Sequence, residues 1–163
     1  MSLKTLAAAA VALTLFGGQT AWAQSMQISP NGARPSSTGP AGNFTGSGVV
    51  TPLFAQSPPA RATAGQVAFS PGARSNWHTH PAGQWLVVTS GVGWVQEWNG
   101  QKREIHPGDV VWTPPGVKHW HGATSTSGLT HIAVQENVEG RNVDWMEPVT
   151  AEQYGASAAS PRF

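Results

Sequence analysis

The chain has 163 residues, enough for one folded domain with its own hydrophobic core. It carries nine basic and eight acidic residues, so its net charge is close to zero, and it has no cysteine. No basic run exists to bind nucleic acid, and thiolate metal sites, cysteine nucleophiles and disulfides are excluded. Stability must therefore come from packing, with a bound metal as one further source.

The first residues are typical of a secretory leader. A positively charged start is followed by an apolar run at 6–16, which is too short to span a bilayer. Ala21-Trp22-Ala23 then has the small-x-small pattern that signal peptidase recognises. We expect a leader over 1–23, a mature start near Gln24, a periplasmic or secreted location, and no membrane association after cleavage. The alternative is a buried N-terminal helix, but the run lacks the polar positions that would give such a helix a solvent face.

An irregular arm precedes a strand-rich block. Residues 24–43 are dominated by Ser, Pro, Gly, Asn and Ala and predict a flexible arm, whereas 44–163 is expected to be the folded domain. Residues 44–50 predict a first strand at a sheet edge, and 55–63 predict a loop.

Short β-branched and aromatic runs continue to the end of the block. Gly- and Pro-containing turns separate them, and Asn99-Gly100 is typical of a hairpin. Only 151–154 has a helical pattern. Many short strands with frequent turns favour a β-sandwich or barrel. The strands predicted after the loop lie at 65–70, 75–80, 84–90, 92–98, 109–113, 117–122 and 128–136.

Candidate metal ligands lie in the segment His78-Thr79-His80. Side chains alternate between the faces of a strand, so both imidazoles are expected on one side, about 7 Å apart along the backbone. Gln84 has the same parity beyond the turn at 81–83, and its amide oxygen is a plausible third ligand. Two histidines with this spacing also occur as ordinary surface residues, so the segment alone does not distinguish a metal site from a surface pair.

Two spaced patterns surround this segment and resemble the two signature motifs of the cupin superfamily. The resemblance implies an all-β, single-domain cupin with a double-stranded β-helix, or jelly-roll, barrel. It also implies that His119 comes from a distant strand to join His78 and His80. Gln84 departs from the usual motif Glu, and Ala123 from an Asn that often ends the second motif. The matching positions are Gly72, His78, His80, Gln84 and Gly91, then Gly108, Pro114, Gly116 and His119.

The Gln84 departure has a physical consequence for the implied ligand set of His78, His80, Gln84 and His119. Four neutral ligands leave a divalent ion with its full charge, so the ion should be a stronger Lewis acid and be held less tightly. Mixed nitrogen and oxygen ligation suits Mn2+ or Fe2+, with Zn2+ as a further alternative. A site that has lost its metal is the other interpretation, although all three histidines remain.

Three further residues are candidates for acid/base chemistry around this centre. His121 lies two positions beyond the last motif histidine, so it faces the same interior if the strand continues. His131 and Gln135 share one face of a later strand, with the small Ala133 between them. The alternative for each of the three is a hydrogen-bonded interior group without a chemical role. For His131, the cost of burying an uncommitted imidazole favours a chemical role. His106 is expected to be a turn residue.

Longer stretches are similar to the small manganese-dependent cupin hydroxynitrile lyases of bacteria, of the (R)-mandelonitrile lyase type. They cover roughly 43–154 and include the Gln ligand at Gln84, which most cupins lack. The leader and the arm have no obvious counterpart in those lyases. The similar stretches are 71–74, 77–81, 83–84, 104–112, 118–123, 130–131, 135–136 and 143–147.

This second resemblance implies a metal-dependent lyase that cleaves or forms cyanohydrins, such as mandelonitrile from benzaldehyde and HCN. His131 would deprotonate the metal-bound hydroxyl, and His121 and Gln135 would hold or protonate the leaving cyanide. The expected partners are this small substrate and other copies of the chain, as a dimer or tetramer. The alternatives are an iron- or manganese-dependent cupin dioxygenase and a non-enzymatic exported cupin that binds a small ligand.

Overall fold

The structure is a computed structural model that describes residues 25–158. Residues 25–30 belong to a separate unit and contain no regular secondary structure. The leader predicted at 1–23 lies outside the described residues. None of the helices in the described part is both long enough and apolar enough to cross a membrane.

Short β-strands dominate the described residues, as their β-branched and aromatic runs predict, with one helix near the end. The elements in chain order are β1 (Ser37–Thr38), β2 (Phe44–Thr45), β3 (Gly48–Phe54), β4 (Ala62–Phe69), β5 (Arg74–Ser75), β6 (His78–Thr79), β7 (Gln84–Gly91), β8 (Gly93–Glu97), β9 (Arg103–Ile105), β10 (Val110–Thr113), β11 (His119–Ala123), β12 (Leu129–Glu136), β13 (Asp144–Trp145) and α1 (Ala151–Gly155).

The strands pair into two sheets, each with antiparallel neighbours. The first has the order β1-β3-β4-β12-β7-β10, and the second has the order β13-β6-β11-β5-β2, with β8 against β11 and β9 against β8. Apolar side chains from both sheets meet in one core, so the sheets face each other as a β-barrel. The predicted all-β jelly-roll class is therefore confirmed. The core residues are Val67, Phe69, Ala73, Val88, Val95, Ile105, Ala123 and Leu129.

A second apolar cluster lies beneath the C-terminal helix. Trp77 and Trp120 are fully buried there and pack with Val149. Helix α1 begins after Thr150, whose side chain forms a capping box with Gln153. The Gln153 side chain also accepts a hydrogen bond from Trp77 Nε1 at 3.1 Å. The predicted helix thus anchors the residue that directly precedes the first motif histidine.

The predicted hairpin at Asn99-Gly100 is confirmed. It joins β8 to β9, which pair antiparallel, and Asn99 adopts a positive φ of 61°. Strands β9, β13 and β1 were not predicted. They are only two or three residues long and have no apolar run of their own, so their pairing partners rather than their propensity make them strands.

The single strand predicted at 44–50 is wrong as one element. The chain turns at Gly46, whose φ is 79°, and a Cβ there would lie 2.9 Å from the Cα of Ala73. The part before the turn becomes β2, at the edge of the second sheet, and the part after it becomes β3, in the first sheet. One short segment therefore links both sheets.

The strand predicted at 75–80 is interrupted after β5 and resumes as β6. At the break, the buried Asn76 donates from Nδ2 to the Gly42 carbonyl at 2.8 Å and to the Met146 carbonyl at 3.3 Å. These bonds tie the arm and the C-terminal segment to the strand that carries the first candidate ligand. His80 lies just beyond the end of β6.

Candidate metal centre and its cavity

The structure brings the three motif histidines together. His78 on β6 and His119 on β11 are direct cross-strand partners. His80 lies two residues after His78, just beyond the end of β6. One ring nitrogen from each lies within 4.8 Å of the others. The ring centroids are 4.3 Å apart for His78 and His119, and 5.1 Å apart for His78 and His80. This spacing allows one ion to reach all three rings.

A backbone carbonyl fixes each of the three imidazoles. The Nδ1 atoms of His78, His80 and His119 lie 2.9, 2.5 and 3.0 Å from the carbonyl oxygens of Asn76, Asn142 and Val117, respectively. A carbonyl only accepts hydrogen bonds, so each Nδ1 must carry the hydrogen and each Nε2 keeps its lone pair. This is the tautomer that a metal ligand needs, held by partners behind the ring.

Gln84 places its amide among these rings. The preceding Gly83 has a φ of 80°, and a Cβ there would lie 2.4 Å from the Trp112 ring, so only glycine fits this turn. Gln84 is 4% exposed, and its Oε1 lies 3.1 Å from His119 Nε2. The fourth predicted ligand therefore shares the centre with the histidines.

Burial keeps these imidazoles neutral. It is the largest cause that lowers the pKa of His119 to about 4 and the pKa of His78 well below its usual value, where the neighbouring imidazoles add repulsion. Burial also lowers the pKa of His80, against an opposing influence from its bond to the Asn142 carbonyl and from the charge of Asp144. Neutral imidazole is the form that binds a metal, so the site is ready for one at neutral pH.

The donor set fits a divalent metal ion. Three Nε2 lone pairs and one amide oxygen converge, and the buried Nε2 of His80 has no hydrogen-bond partner of its own. An orphaned buried acceptor is costly unless something else satisfies it. Mn2+, Fe2+ and Zn2+ all accept nitrogen and oxygen ligands, so the donor atoms fit a divalent metal ion but do not distinguish among these three.

A cavity of about 280 Å³ opens beside this centre. Three candidate ligands, His78, His80 and Gln84, border it, as do His121 and Gln135. The remaining wall is mainly apolar and includes two aromatic rings. Those wall residues are Phe44, Val50, Val67, Ala133, Val143 and Trp145.

The arm contributes to this cavity. Ser37, Pro40 and Asn43 all border it, although composition predicted only an irregular segment. Main-chain hydrogen bonds hold the segment in place: Gly39 donates to Gly48 at 2.8 Å, and Asn76 donates to the Asn43 carbonyl at 2.8 Å. The sequence carries no periodic signal for such an attachment, because the bonds involve backbone groups that every residue has.

His121 and His131 form a hydrogen-bonded pair next to the triad. His131 Nε2 lies 3.0 Å from His121 Nδ1, and both rings pack against Phe69. His121 borders the cavity, whereas His131 is 0% exposed and lies behind it, outside the cavity lining. Burial lowers the pKa of His131 to about 4, and burial together with repulsion from neighbouring imidazoles holds the pKa of His121 well below its usual value. Both rings are therefore neutral at neutral pH.

Gln135 borders the cavity and is held by residues that the sequence analysis missed. Its Nε2 donates to Thr63 Oγ1 at 3.0 Å, and Asn142 Nδ2 donates to the same oxygen at 3.2 Å. Thr63 lies four residues before Val67 on β4 and so faces the interior as Val67 does, which is the one feature of the sequence that could have indicated Thr63. Asn142 lies in a loop and gave none. His106 is exposed and pairs with Glu104 at 3.1 Å, in the turn that was expected.

Comparison with known proteins identifies the family. The family described as "Cupin domain" matches residues 65–134, which contain both spaced motifs. The (R)-mandelonitrile lyase of Granulicella tundricola is 54% identical over 129 residues, which cover 79% of this chain and 98% of that protein. This chain belongs to the cupin family. A cupin-like protein from Thermotoga maritima is 40% identical, with a TM-score of 0.69, over 72% of this cupin and 90% of that chain.

A more distant structure shares the cupin fold alone. A cupin-2 domain from Rhodospirillum rubrum is 16% identical, with a TM-score of 0.58, over 73% of this chain and 78% of that one. The lyase match also corrects one expectation. It spans 129 residues of this cupin, whereas 44–163 contains only 120, so part of the arm does have a counterpart in the lyase.

Proposed function

We propose that this cupin is a metal-dependent hydroxynitrile lyase that cleaves or forms cyanohydrins such as mandelonitrile. The observation that carries the proposal is the 54% identity to an (R)-mandelonitrile lyase over nearly all of that protein. The chain also has a buried centre of three histidines and one glutamine beside a mainly apolar cavity, and this arrangement suits a metal-dependent form of that reaction.

The cavity wall supports an aryl substrate. Phe44 and Trp145 pack against each other with ring centroids 5.7 Å apart, and Trp145 lies 4.8 Å from the ring of His78. An aryl ring in this part of the cavity would bury apolar surface against these two side chains and the neighbouring valines. The polar end of the substrate would then face the histidines.

We propose Mn2+ as the resident ion, held by His78, His80, Gln84 and His119. A divalent ion bound to four neutral ligands supplies strong Lewis acidity toward an oxygen-bearing ligand. The four residues contribute orientation and leave the ionic charge uncompensated. Ligand chemistry alone also permits iron or zinc, so the choice of manganese rests on the likeness to the lyases.

The His121–His131 pair would handle the proton. In the tautomer in which His121 Nδ1 donates to His131 Nε2, the Nε2 of His121 is free to accept a proton from a hydroxyl in the cavity. The C–C bond to the nitrile then breaks, its electron pair leaves with cyanide, and the C–O bond becomes a carbonyl. Protonated His121 returns its proton to give HCN. His131, which was predicted as the direct base, would act through His121 because it lies behind it.

The test follows benzaldehyde released from racemic mandelonitrile by manganese-loaded protein. We expect release well above that of His121→Ala and His131→Ala, while His106→Ala, at an exposed turn, keeps the wild-type rate. A wild-type rate no higher than those of the two pair variants would contradict the proposal. Oxygen uptake with a catechol would instead indicate the dioxygenase, and ligand binding without turnover would indicate a binding protein.

We also propose export and self-association. Export rests on the leader predicted at 1–23 and is tested by sequencing the N-terminus of the protein recovered from its native compartment. Self-association is supported by an exposed apolar patch on the first sheet, where Trp85 and Trp112 pack with ring centroids 4.5 Å apart beside the exposed Val110. Light scattering of wild type and Trp112→Lys would test it, with a smaller particle expected for the variant.

A further inference from the structure

The indole of Trp145 forms part of the cavity wall beside the candidate metal centre. Trp145 on β13 is the cross-strand partner of His78 on β6, and their ring centroids lie 4.8 Å apart. The ring of Phe44 lies 5.7 Å from the same indole. Trp145 is nevertheless 38% exposed, so these contacts leave much of its side chain without protein neighbours. A large side chain with this much open space around it changes rotamer readily unless a further contact holds it.

The last residue of the arm supplies that contact. The side-chain amide of Asn43 lies between the indole Nε1 of Trp145, at 3.1 Å, and the carbonyl oxygen of Gly42, at 3.2 Å. An indole N–H can only donate and a carbonyl can only accept, so Oδ1 of Asn43 faces the indole and Nδ2 faces Gly42. Both ends of the amide are thereby satisfied. The bond also uses the single hydrogen-bonding group that an indole has.

Asn43 is itself fixed by main-chain hydrogen bonds. Its N–H donates to the Pro40 carbonyl at 2.9 Å, and its carbonyl accepts from the main-chain N–H of Asn76 at 2.8 Å. Asn76 is 2% exposed, and its own carbonyl accepts the Nδ1 hydrogen of His78 at 2.9 Å. One chain of hydrogen bonds therefore runs from a candidate metal ligand through Asn76 and Asn43 to the indole of Trp145. The main-chain part of it does not depend on the Asn43 side chain.

The orientation of this indole decides how much aromatic wall the cavity has. Among the described residues that border the cavity, Phe44 and Trp145 carry the two aromatic rings that are not imidazoles. An aryl group buries more apolar surface against such rings than a short alkyl group does, and it can also pair ring with ring. If the indole turned away in some of the molecules, aryl affinity would fall with the fraction that keeps it in place, and a short alkyl group would lose little.

We propose that Asn43 is a positioning residue that holds the Trp145 indole against the cavity and thereby sets a preference for an aryl over a short alkyl ligand. The proposal rests on the proposed function for the identity of the substrate, an aryl cyanohydrin. One net hydrogen bond corresponds to about two- to tenfold in an equilibrium constant, which is the size of the effect expected on aryl affinity.

The first test follows the indole hydrogen of Trp145 by NMR spectroscopy. Zinc-loaded, 15N-labelled protein avoids the broadening that paramagnetic Mn2+ would cause, and the resonance is assigned by its absence from Trp145→Phe. In Asn43→Ala and Asn43→Leu, this hydrogen should exchange with water about two- to tenfold faster than in wild type. The indole hydrogen of Trp120, which bonds Gln96 Oε1 at 2.9 Å, should keep its rate.

The second test compares two alcohols that bind without turnover. Benzyl alcohol and 2-methyl-1-propanol each carry one primary hydroxyl, and only the first carries a ring. In both Asn43 variants, benzyl alcohol should bind about two- to tenfold more weakly, and 2-methyl-1-propanol should change by less than about twofold. With mandelonitrile as substrate, the loss should appear in KM while kcat stays within about twofold of wild type.

A double-mutant cycle and a matched control separate orientation from general damage. Trp145→Phe keeps a ring but lacks the N–H, so adding Asn43→Leu to it should cost no further benzyl alcohol affinity. Asn137→Ala removes an amide that bonds the Gln56 side chain at 2.8 Å, outside the cavity lining, and should change neither affinity. Metal content, measured on every variant, should stay at the wild-type level.

The outcomes decide whether Asn43 positions the indole or only supports the fold. Faster exchange at Trp145 alone, selective loss of benzyl alcohol binding and no further loss in the Trp145→Phe background would support the proposal. Unchanged exchange in Asn43→Leu, equal losses for both alcohols, or additive losses in the double variant would overturn it. Failure of the lyase assay with the exchange and binding results intact would remove the proposed function and leave the positioning role standing.

Discussion

The histidine triad and the histidine pair lie side by side in one barrel, yet their imidazoles are held differently. Each ring of the triad donates from Nδ1 to a backbone carbonyl, so its tautomer cannot change without breaking a bond to the fold. The pair, His121 and His131, bond to each other through ring nitrogens, either of which can carry the hydrogen.

This difference matches two chemical tasks. Fixed tautomers present constant lone pairs, which suits ligands of an ion. A shared hydrogen bond allows a proton to be taken and returned with little movement, which suits acid/base work. The two groups should therefore respond differently when a residue is removed: loss of a triad member should remove the metal, and loss of a pair member should remove catalysis while the metal stays.

The largest effect is expected for the triad. His119→Ala removes one of three imidazole ligands, so metal affinity should fall by more than about 100-fold and cyanohydrin cleavage should disappear. Metal analysis after dialysis and the benzaldehyde assay measure the two losses. The exposed His106→Ala should change neither, and a His119→Ala protein with full metal content would contradict the assignment.

A smaller effect is expected for the pair. His121→Ala should lower kcat by about 10² to 10⁴, the usual contribution of a positioned acid or base, and His131→Ala should lower it by less because it acts through His121. Metal content should remain at the wild-type level in both. If these variants lost metal in proportion to their loss of activity, the pair would be needed for metal binding, and the separate roles proposed for the triad and the pair would be wrong.

Acid should destabilise the metal-free protein through the pair. The pKa of buried His131 is lowered from 6.5 to about 4, so the unfolded chain binds its proton more tightly than the folded one. Above pH 6.5 the residue is neutral in both states and costs no stability. As the pH falls from 6.5 toward 4, protonation of the unfolded chain lowers the free energy of unfolding by on the order of 3 kcal/mol. Urea unfolding of chelator-treated wild type and His131→Leu across this range should show a shallower pH dependence for the variant.

The smallest of these effects concerns the neutral fourth ligand. Gln84→Glu adds one negative charge at the centre, so the ion should be held about tenfold more tightly while its Lewis acidity and the turnover fall by a similar factor. Gln66→Glu, at a position that alternates with the inward-facing Val67 on β4, is the matched control. Tighter metal binding with unchanged turnover would show that the neutral amide is not required for catalysis.

Much of the barrel could be predicted because its strands are locally encoded. The β-branched runs of β4, β7 and β12, the Asn-Gly hairpin and the spacing of the two motifs all carry signals within a few residues. By contrast, β1 and β13 exist only through pairing with β3 and β6, which no local pattern reveals.

The candidate site divides in the same way. Parity put His78 and His80 on one face, the resemblance to the cupin motifs added His119, and parity from His119 put His121 on the same side. The sequence could not indicate that His131 lies behind His121, or that the arm forms part of the cavity. Those facts depend on packing between sheets and on backbone hydrogen bonds.

The most direct test of the account is the dependence of mandelonitrile cleavage on the metal. Benzaldehyde release would be measured on protein as purified, after removal of its metal by a chelator, and after return of Mn2+. Cleavage should be almost completely lost when the metal is removed and should recover on its return, in proportion to the metal bound. Cleavage at an undiminished rate by metal-free protein would contradict it.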